Sequence, residues 1–279
     1  MDATILRFFE GIRSPVLTTI FGVFSMLGEA VVISAIVLVV FWLAPRRVGE
    51  QALVTVITSF GLNSFMKHVV ARPRPYISGV VSKLDPPLGG ALDEYASFPS
   101  GHTQMTTGFF GAVASRSKRV LVWVSCALTV LLIALSRLYF GVHYPSDVLM
   151  GFLCGALIAL LWALVYRFAY RSRYFFLLGA AALSLLPLFF SPTQGYVQAT
   201  GLLTGGAVSL VLLHFFSAYE KVDFPRRLWR IPVGLALLLV VFMLTMLFPK
   251  GSIFTLVKWF LLAFAAIFCA QMVFEKLQI

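Results

Sequence analysis

Charge is what this chain has least of. Only 12% of its 279 residues are Asp, Glu, Lys or Arg, and only 11 are acidic. Water-soluble domains carry about a quarter charged residues. With 60% hydrophobic residues spread along the whole length, an oversized soluble core is excluded in favour of a membrane protein. The net charge of +11 does not signal nucleic acid, because no separable basic domain or basic-aromatic face carries it. Cysteine is equally sparse. Cys126, Cys154 and Cys269 lie inside apolar runs and form no CxxC pair, which excludes a disulfide framework and a thiolate zinc site. They read as small buried hydrophobes. Internal repeats and low-complexity segments are lacking too. The opening MDATILRFFEGIR has no basic stretch ahead of an apolar run, so a cleavable signal is not expected.

What is present is long apolar segments. A spanning helix needs roughly 20 mostly apolar residues. Nine candidates are found, at about 15–43, 51–70, 99–115, 119–137, 146–166, 174–191, 196–218, 229–248 and 252–274. The third counts only if its Pro-Ser-Gly-His start reaches the membrane interface. The fold class is therefore all-α, a polytopic transmembrane helical bundle of about nine spans. Ile5, Leu6, Phe8, Phe9 and Ile12 share one face of a short N-terminal helix, expected to lie in the interface. The domain reading is an interfacial helix over 1–14, a core over 15–170 and a C-terminal transmembrane extension over 171–279.

Lys and Arg bias orients the bundle. Thirteen basic residues, including Arg46, Arg47, Arg116, Arg167 and Lys221, fall on one side and nine on the other. Lys67, Arg74 and Arg137 are three of the nine and are needed elsewhere, so the first side is assigned to the cytoplasm.

Three segments on the outward side hold nearly all the unusual polar residues. They are Lys67-His-Val-Val-Ala-Arg-Pro-Arg74-Pro75, then Phe98-Pro99-Ser100-Gly101-His102, then Ser136-Arg137 through His143 to Asp147. Lys67, Arg74 and Arg137 offer cations, Arg as a planar fork suited to phosphate oxygens. Ser100 and Gly101 open a helix, where free N–H groups favour an anion. The pocket suits a dianionic group, most plausibly phosphate. His143 and Asp147 stand four apart; Asp147 is expected to hold one ring nitrogen protonated and leave the other to attack phosphorus. His102 is expected to protonate the leaving oxygen and then activate water. One carboxylate among three cations argues against a metal, and no cofactor is expected.

These segments resemble the three signature motifs of the type 2 phosphatidic acid phosphatase superfamily, which also includes vanadium haloperoxidases. Lys67 with Arg74-Pro75 matches the first, Pro99 to His102 the second, and Ser136, Arg137, His143 and Asp147 the third. The resemblance implies a helical bundle, a phosphohistidine on His143 and His102 as acid/base. It implies phosphate binding by Lys67, Arg74, Ser100, Gly101 and Arg137. The span arrangement is similar to glucose-6-phosphatase-like and sphingosine-phosphate-phosphatase-like members.

Other polar residues are read against blander roles. Arg72 is expected only to snorkel, and His68 to be structural. His214 is expected to be a satisfied buried residue. Glu29, mid-way along the first span, is expected to face the bundle and to pair with a site cation such as Lys67 or to support Asn63; a protonated structural acid is the equal alternative. Phenylalanines read as core and lipid-facing, and an acyl channel lined by Phe98, Phe109 and Phe110 is the weaker reading of those three. The expected partners are membrane lipids and a phosphorylated lipid substrate such as undecaprenyl diphosphate, phosphatidylglycerol phosphate, phosphatidate or a sphingoid phosphate. A bacterial plasma membrane is expected, with the site extracytoplasmic. A sugar-phosphate phosphatase or a phosphotransferase would use the same chemistry. A transporter is disfavoured, since it would show repeats and mid-membrane broken helices.

Overall fold

A computed structural model of the chain describes residues 2–86, 95–190, 192–217 and 222–279. Lys221, counted above on the cytoplasmic side, lies outside the described residues. Thirteen helices are present among them: α1 Asp2–Gly11, α2 Pro15–Leu27, α3 Ala30–Leu43, α4 Arg46–Val70, α5 Gly101–Ala114, α6 Val120–Tyr139, α7 Pro145–Phe168, α8 Arg173–Leu185, α9 Gln194–Phe216, α10 Phe224–Arg227, α11 Arg230–Thr245, α12 Ser252–Phe264 and α13 Ala270–Lys276. Among the described residues there is no strand, only an isolated bridge between Pro73 and Ala96. Seven helical segments are long and apolar enough to cross a membrane, and the bent pair α2–α3 raises this to eight. The count of nine is not reached because α5 has 14 residues. At 1.5 Å per residue it extends about 21 Å, short of the roughly 30 Å hydrocarbon core.

The chain divides into two compact units, Met1–Val37 with Leu62–Ala163, and Leu38–Gly61 with Leu164–Ile279. In the first, α2 and α5 pack on α6, and α1 also lies against α6. The α1 helix is seated on protein rather than simply floating in the interface. Leu6 is buried in a cluster with Val81, Leu138 and Tyr144, and Glu10 accepts a 2.7 Å hydrogen bond from the Ser82 N–H. Phe8 stays exposed.

In the second unit α12 and α8 both pack on α9. Gly201 and Gly205 make the α9–α12 approach possible, since added Cβ atoms would stand 2.6 Å from the Leu256 carbonyl oxygen and 2.5 Å from that of Phe260. This is close packing through small residues spaced by four. Trp42 Nε1 donates to the Ala266 carbonyl at 2.9 Å, within the π-turn Ala265–Cys269. Buried Glu50 accepts from Arg46 at 2.7 Å, Arg173 at 3.1 Å and the Tyr166 hydroxyl at 3.3 Å. His214 is exposed rather than buried, its ring 5.2 Å from that of Tyr174. The three cysteines are free and half-buried rather than fully buried.

Candidate active site

The first unit gathers the three motifs. Helix α4 ends where Ala71 turns to φ 45° and its N–H returns to the Lys67 carbonyl. The Arg72–Pro75 segment then runs beside the lead-in to the second motif, with the Ser97 N–H donating to the Arg72 carbonyl at 2.7 Å. Ser100 caps α5 through a hydroxyl that faces the Thr103 N–H, and its own N–H donates to the Asp147 carbonyl at 3.0 Å. Asn63 on α4 donates to the Pro99 carbonyl at 3.2 Å and to Gln104 Oε1 at 2.9 Å, so it grips both sides of the Ser-Gly-His turn. A Cβ on Gly101 would meet Asn63 Oδ1 at 3.1 Å.

Two glycines bring α7 onto the first turn of α5. Added Cβ atoms at Gly151 and Gly155 would stand 2.6 Å from the Ser100 carbonyl oxygen and 2.4 Å from that of Gln104. Bare backbone is what sets the second motif against the third. The third motif turns at Gly141, φ +68°, which the left-handed region allows a glycine without strain. Arg137 in the last turn of α6 and His143 before α7 are thereby folded back towards each other, and buried Arg74 reaches the Val142 carbonyl at 3.4 Å.

His143 sits 1% exposed at the centre. Its Nδ1 is 2.7 Å from the Ser97 carbonyl oxygen. A carbonyl only accepts, so Nδ1 carries the proton and Nε2 keeps its lone pair. Burial, reinforced by Arg74, Arg137, Lys67 and His102, holds the imidazole well below the usual histidine range. It is therefore neutral at pH 7. Arg137 is 2% exposed, and one of its Nη atoms bonds Ser25 Oγ. Its Nε is buried without a partner among the described residues. A buried charged N–H left unsatisfied is costly, and a phosphate oxygen is an acceptor suited to it.

The expected His143–Asp147 hydrogen bond is corrected. Asp147 Oδ2 stands 3.8 Å from Nδ1, too far for one. The reason is that Asp147 is engaged elsewhere. From the third position of α7 it reaches back to accept the Tyr144 N–H at 2.9 Å, as an acidic residue does in a capping box. Its other oxygen takes Arg72 at 2.8 Å. Arg72 is accordingly no snorkelling side chain. It also donates to Ser146 Oγ at 2.8 Å, lies 3.7 Å over the Tyr144 ring and approaches Asp2 Oδ2 at 3.5 Å.

Glu29 faces the site as expected and has His102 as a partner, with Oε1 3.0 Å from Nε2, while the Asn63 amide donates to Pro99 and Gln104. Sequence reasoning missed Arg72, although the doubled Arg-Pro held a signal. It missed the Ser97 carbonyl, and Gly28, where a Cβ would stand 2.9 Å from His102 Cδ2; a single sequence marks neither. Beside the motifs, α5, α6 and α7 enclose an apolar cleft of about 640 Å³ lined by Thr107, Phe110, Leu138, Pro145, Phe152 and Leu160, among others. Phe109 is instead buried.

Comparison with known proteins finds relatives among lipid phosphatases. The lipid A 1-phosphatase of Rhizobium etli is 36% identical over 123 residues, 43% of this chain and 50% of that protein. The undecaprenyl-diphosphatase BcrC of Bacillus subtilis is 31% identical over 150 residues, 52% of this chain and 72% of that protein. The chain spans about half the length of the lipid A 1-phosphatases it matches. Among solved structures, the crystal structure of Aquifex aeolicus LpxE aligns with a TM-score of 0.51 at 25% identity, covering 58% of this chain and 93% of that one. The family model described as the PAP2 superfamily matches residues 49–172, the stretch that holds all three motifs. The chain belongs to the PAP2 superfamily.

Proposed function

We propose that this chain is an integral-membrane phosphatase that removes phosphate from a lipid phosphate or lipid diphosphate through a phosphohistidine on His143. The observation that carries the reading is the buried, neutral His143 with Nδ1 held by a carbonyl and Nε2 free inside a cationic cradle. Nε2 attacks phosphorus as the bond to the leaving oxygen breaks. Lys67, Arg74 and Arg137, with the N–H of Gly101, bear the charge on the phosphoryl oxygens, the Ser100 N–H being taken by the Asp147 carbonyl. His102 gives the leaving oxygen its proton, then takes one from the water that releases phosphate from His143.

The donor set supports metal-independent chemistry, because three cations face His143 and both carboxylates are engaged, Asp147 by Arg72 and the Tyr144 N–H and Glu29 by His102. The apolar cleft beside the third motif favours a lipid over a sugar phosphate. Undecaprenyl diphosphate, phosphatidylglycerol phosphate, phosphatidate and lipid A are the substrates to compare. The Lys and Arg bias favours a site on the extracytoplasmic side of a bacterial plasma membrane. Transfer to an alcohol in place of water would use the same groups.

The test is phosphate release by purified protein from a panel of lipid and sugar phosphates, with and without chelator. Activity on a lipid member that resists chelation and disappears in His143→Ala is the expected result. Activity that needs a metal, or that survives His143→Ala, overturns the mechanism. Release from sugar phosphates alone overturns the lipid assignment, and a phosphorylated alcohol product identifies transfer.

A further inference from the structure

The first span is broken beside the site. Helix α2 stops at Leu27, α3 starts at Ala30, and their axes differ by 51°. Glu29 stands in the break. A carboxylate in an apolar span is costly unless it is used, and this one meets a histidine of the second motif. Oε1 of Glu29 lies 3.0 Å from Nε2 of His102, with the two side chains 26% and 16% exposed. Gly28 is what lets the ring in. A Cβ there would stand 2.9 Å from His102 Cδ2, 3.2 Å from His102 Cβ and 2.9 Å from Ile133 Cγ2. The same helix supplies Ser25, one turn before the break, to Arg137. The break is thus fitted to the site at two points.

His102 has a difficult task in this surrounding. Arg137 faces it from α6 and Lys67 from α4, with Glu29 at the break, and His143 lies across the site. Two cations oppose a third on the imidazole. A histidine kept neutral there could accept a proton but could not deliver one. An alkyl leaving oxygen, unlike an aryl one, departs slowly without a proton.

We propose that Glu29 is a positioning residue that makes His102 a competent acid. This rests on the phosphatase reading above. Its carboxylate accepts the Nε2–H of His102 throughout the cycle and balances the charge of the imidazolium. Nδ1 is then the nitrogen that exchanges a proton. As the His143 Nε2–P bond forms and the P–O bond breaks, the Nδ1 proton passes to the leaving oxygen. As water oxygen bonds phosphorus and the N–P bond breaks, the water proton returns to Nδ1.

The experiment compares wild type, Glu29→Gln, Glu29→Asp and Gly28→Ala on an alkyl phosphate lipid and on p-nitrophenyl phosphate, over pH 5 to 9. General acid catalysis contributes about 100-fold or more. Glu29→Gln is expected to lose on the order of 10- to 100-fold in kcat on the alkyl ester and less than about 3-fold on the aryl ester. Its alkaline limb on the alkyl ester is expected to move to lower pH, and Glu29→Asp to recover part of the loss. Gly28→Ala, which moves the ring without changing charge, is expected to show the same preference for the aryl ester. It decides the matter if Glu29→Gln fails to fold. Equal losses on both esters with an unmoved pH limb, or full activity of Glu29→Gln, overturn the proposal while leaving the phosphatase reading intact. A wild type that releases phosphate from neither ester overturns that reading, and the role of Glu29 with it.

Discussion

Replacing Arg72 tests whether the first and third motifs are coupled through Asp147. Arg72 places one nitrogen 2.8 Å from both Asp147 Oδ1 and Ser146 Oγ. Asp147 is fully buried, while Arg72 is about one-third exposed. Removing a charged partner from a fully buried pair costs about 3–5 kcal/mol. Hydrogen bonds to charged groups contribute about 1.5–3 kcal/mol. The exposure of Arg72 puts its loss near the lower range, about 2 kcal/mol, to which stacking on Tyr144 adds about 0.5–1 kcal/mol. At 1.4 kcal/mol per tenfold, Arg72→Met is expected to lower kcat/KM about 60- to 140-fold. Arg72→Lys keeps the charge but not the fork or the stacked plane, so only part of the loss is recovered. The decisive assay is a double-mutant cycle with Asp147→Asn, since contacting partners are non-additive. Once the carboxylate is gone, Arg72→Met is expected to cost less than about 5-fold more. If the two losses simply multiply, Arg72 does not act through Asp147 and the coupling argument fails.

Three further outcomes are expected. Gly151→Ala forces a methyl to within 2.6 Å of the Ser100 carbonyl oxygen. Overpacking of that kind costs about 1–3 kcal/mol, so both the melting temperature in detergent and phosphate release should fall; an unchanged protein would mean that α7 is not pressed onto α5. Glu50→Gln leaves buried Arg173 without its carboxylate and is expected to cost about 3–5 kcal/mol. Thermal unfolding checks this, and a shift of less than a degree contradicts it. His143 is held well below the ordinary histidine range, whereas in the unfolded chain it titrates near about 6.5. Between those points the unfolded state binds more protons, so the stability is fully present above about pH 6.5 and is lost as pH falls below it. Wild type is therefore expected to lose more melting temperature than His143→Asn between pH 7.5 and 5, and equal losses would refute this.

The cations and histidines of the site were legible because they stand out in an apolar chain and keep fixed spacings. The topology drawn from hydropathy already brought Lys67, His102 and His143 to one face. What was not legible is who bonds whom. Asp147 looked like the partner of His143 because they are four apart, yet a Tyr144 N–H and the Arg72 guanidinium take its oxygens. The group that fixes the His143 tautomer is a backbone carbonyl, which every residue carries and no sequence marks. Glu29 was conspicuous as an acid in a span, but its partner depended on a helix break and on the missing Cβ of Gly28, both three-dimensional facts. Span counting fell short only at α5, whose 14 residues are fewer than a full span takes.

The charges now fit a phosphate better than the list of cations alone would allow. Arg72 and Asp147 neutralise each other at 2.8 Å, so neither adds to the field at His143. Lys67, Arg74 and Arg137 act directly on that histidine, and Glu29 on His102 sets one negative charge against them. Three cations against one carboxylate leave two positive charges, the complement of a phosphate dianion. The arrangement also divides the labour. Cations near His143 favour a neutral nucleophile, which must keep its lone pair. The carboxylate stands beside His102, the group that must hold a proton. Burial and the cations lower both imidazoles, but only His102 has a neighbour, Glu29, that raises it, the asymmetry that the proposed roles of nucleophile and acid call for.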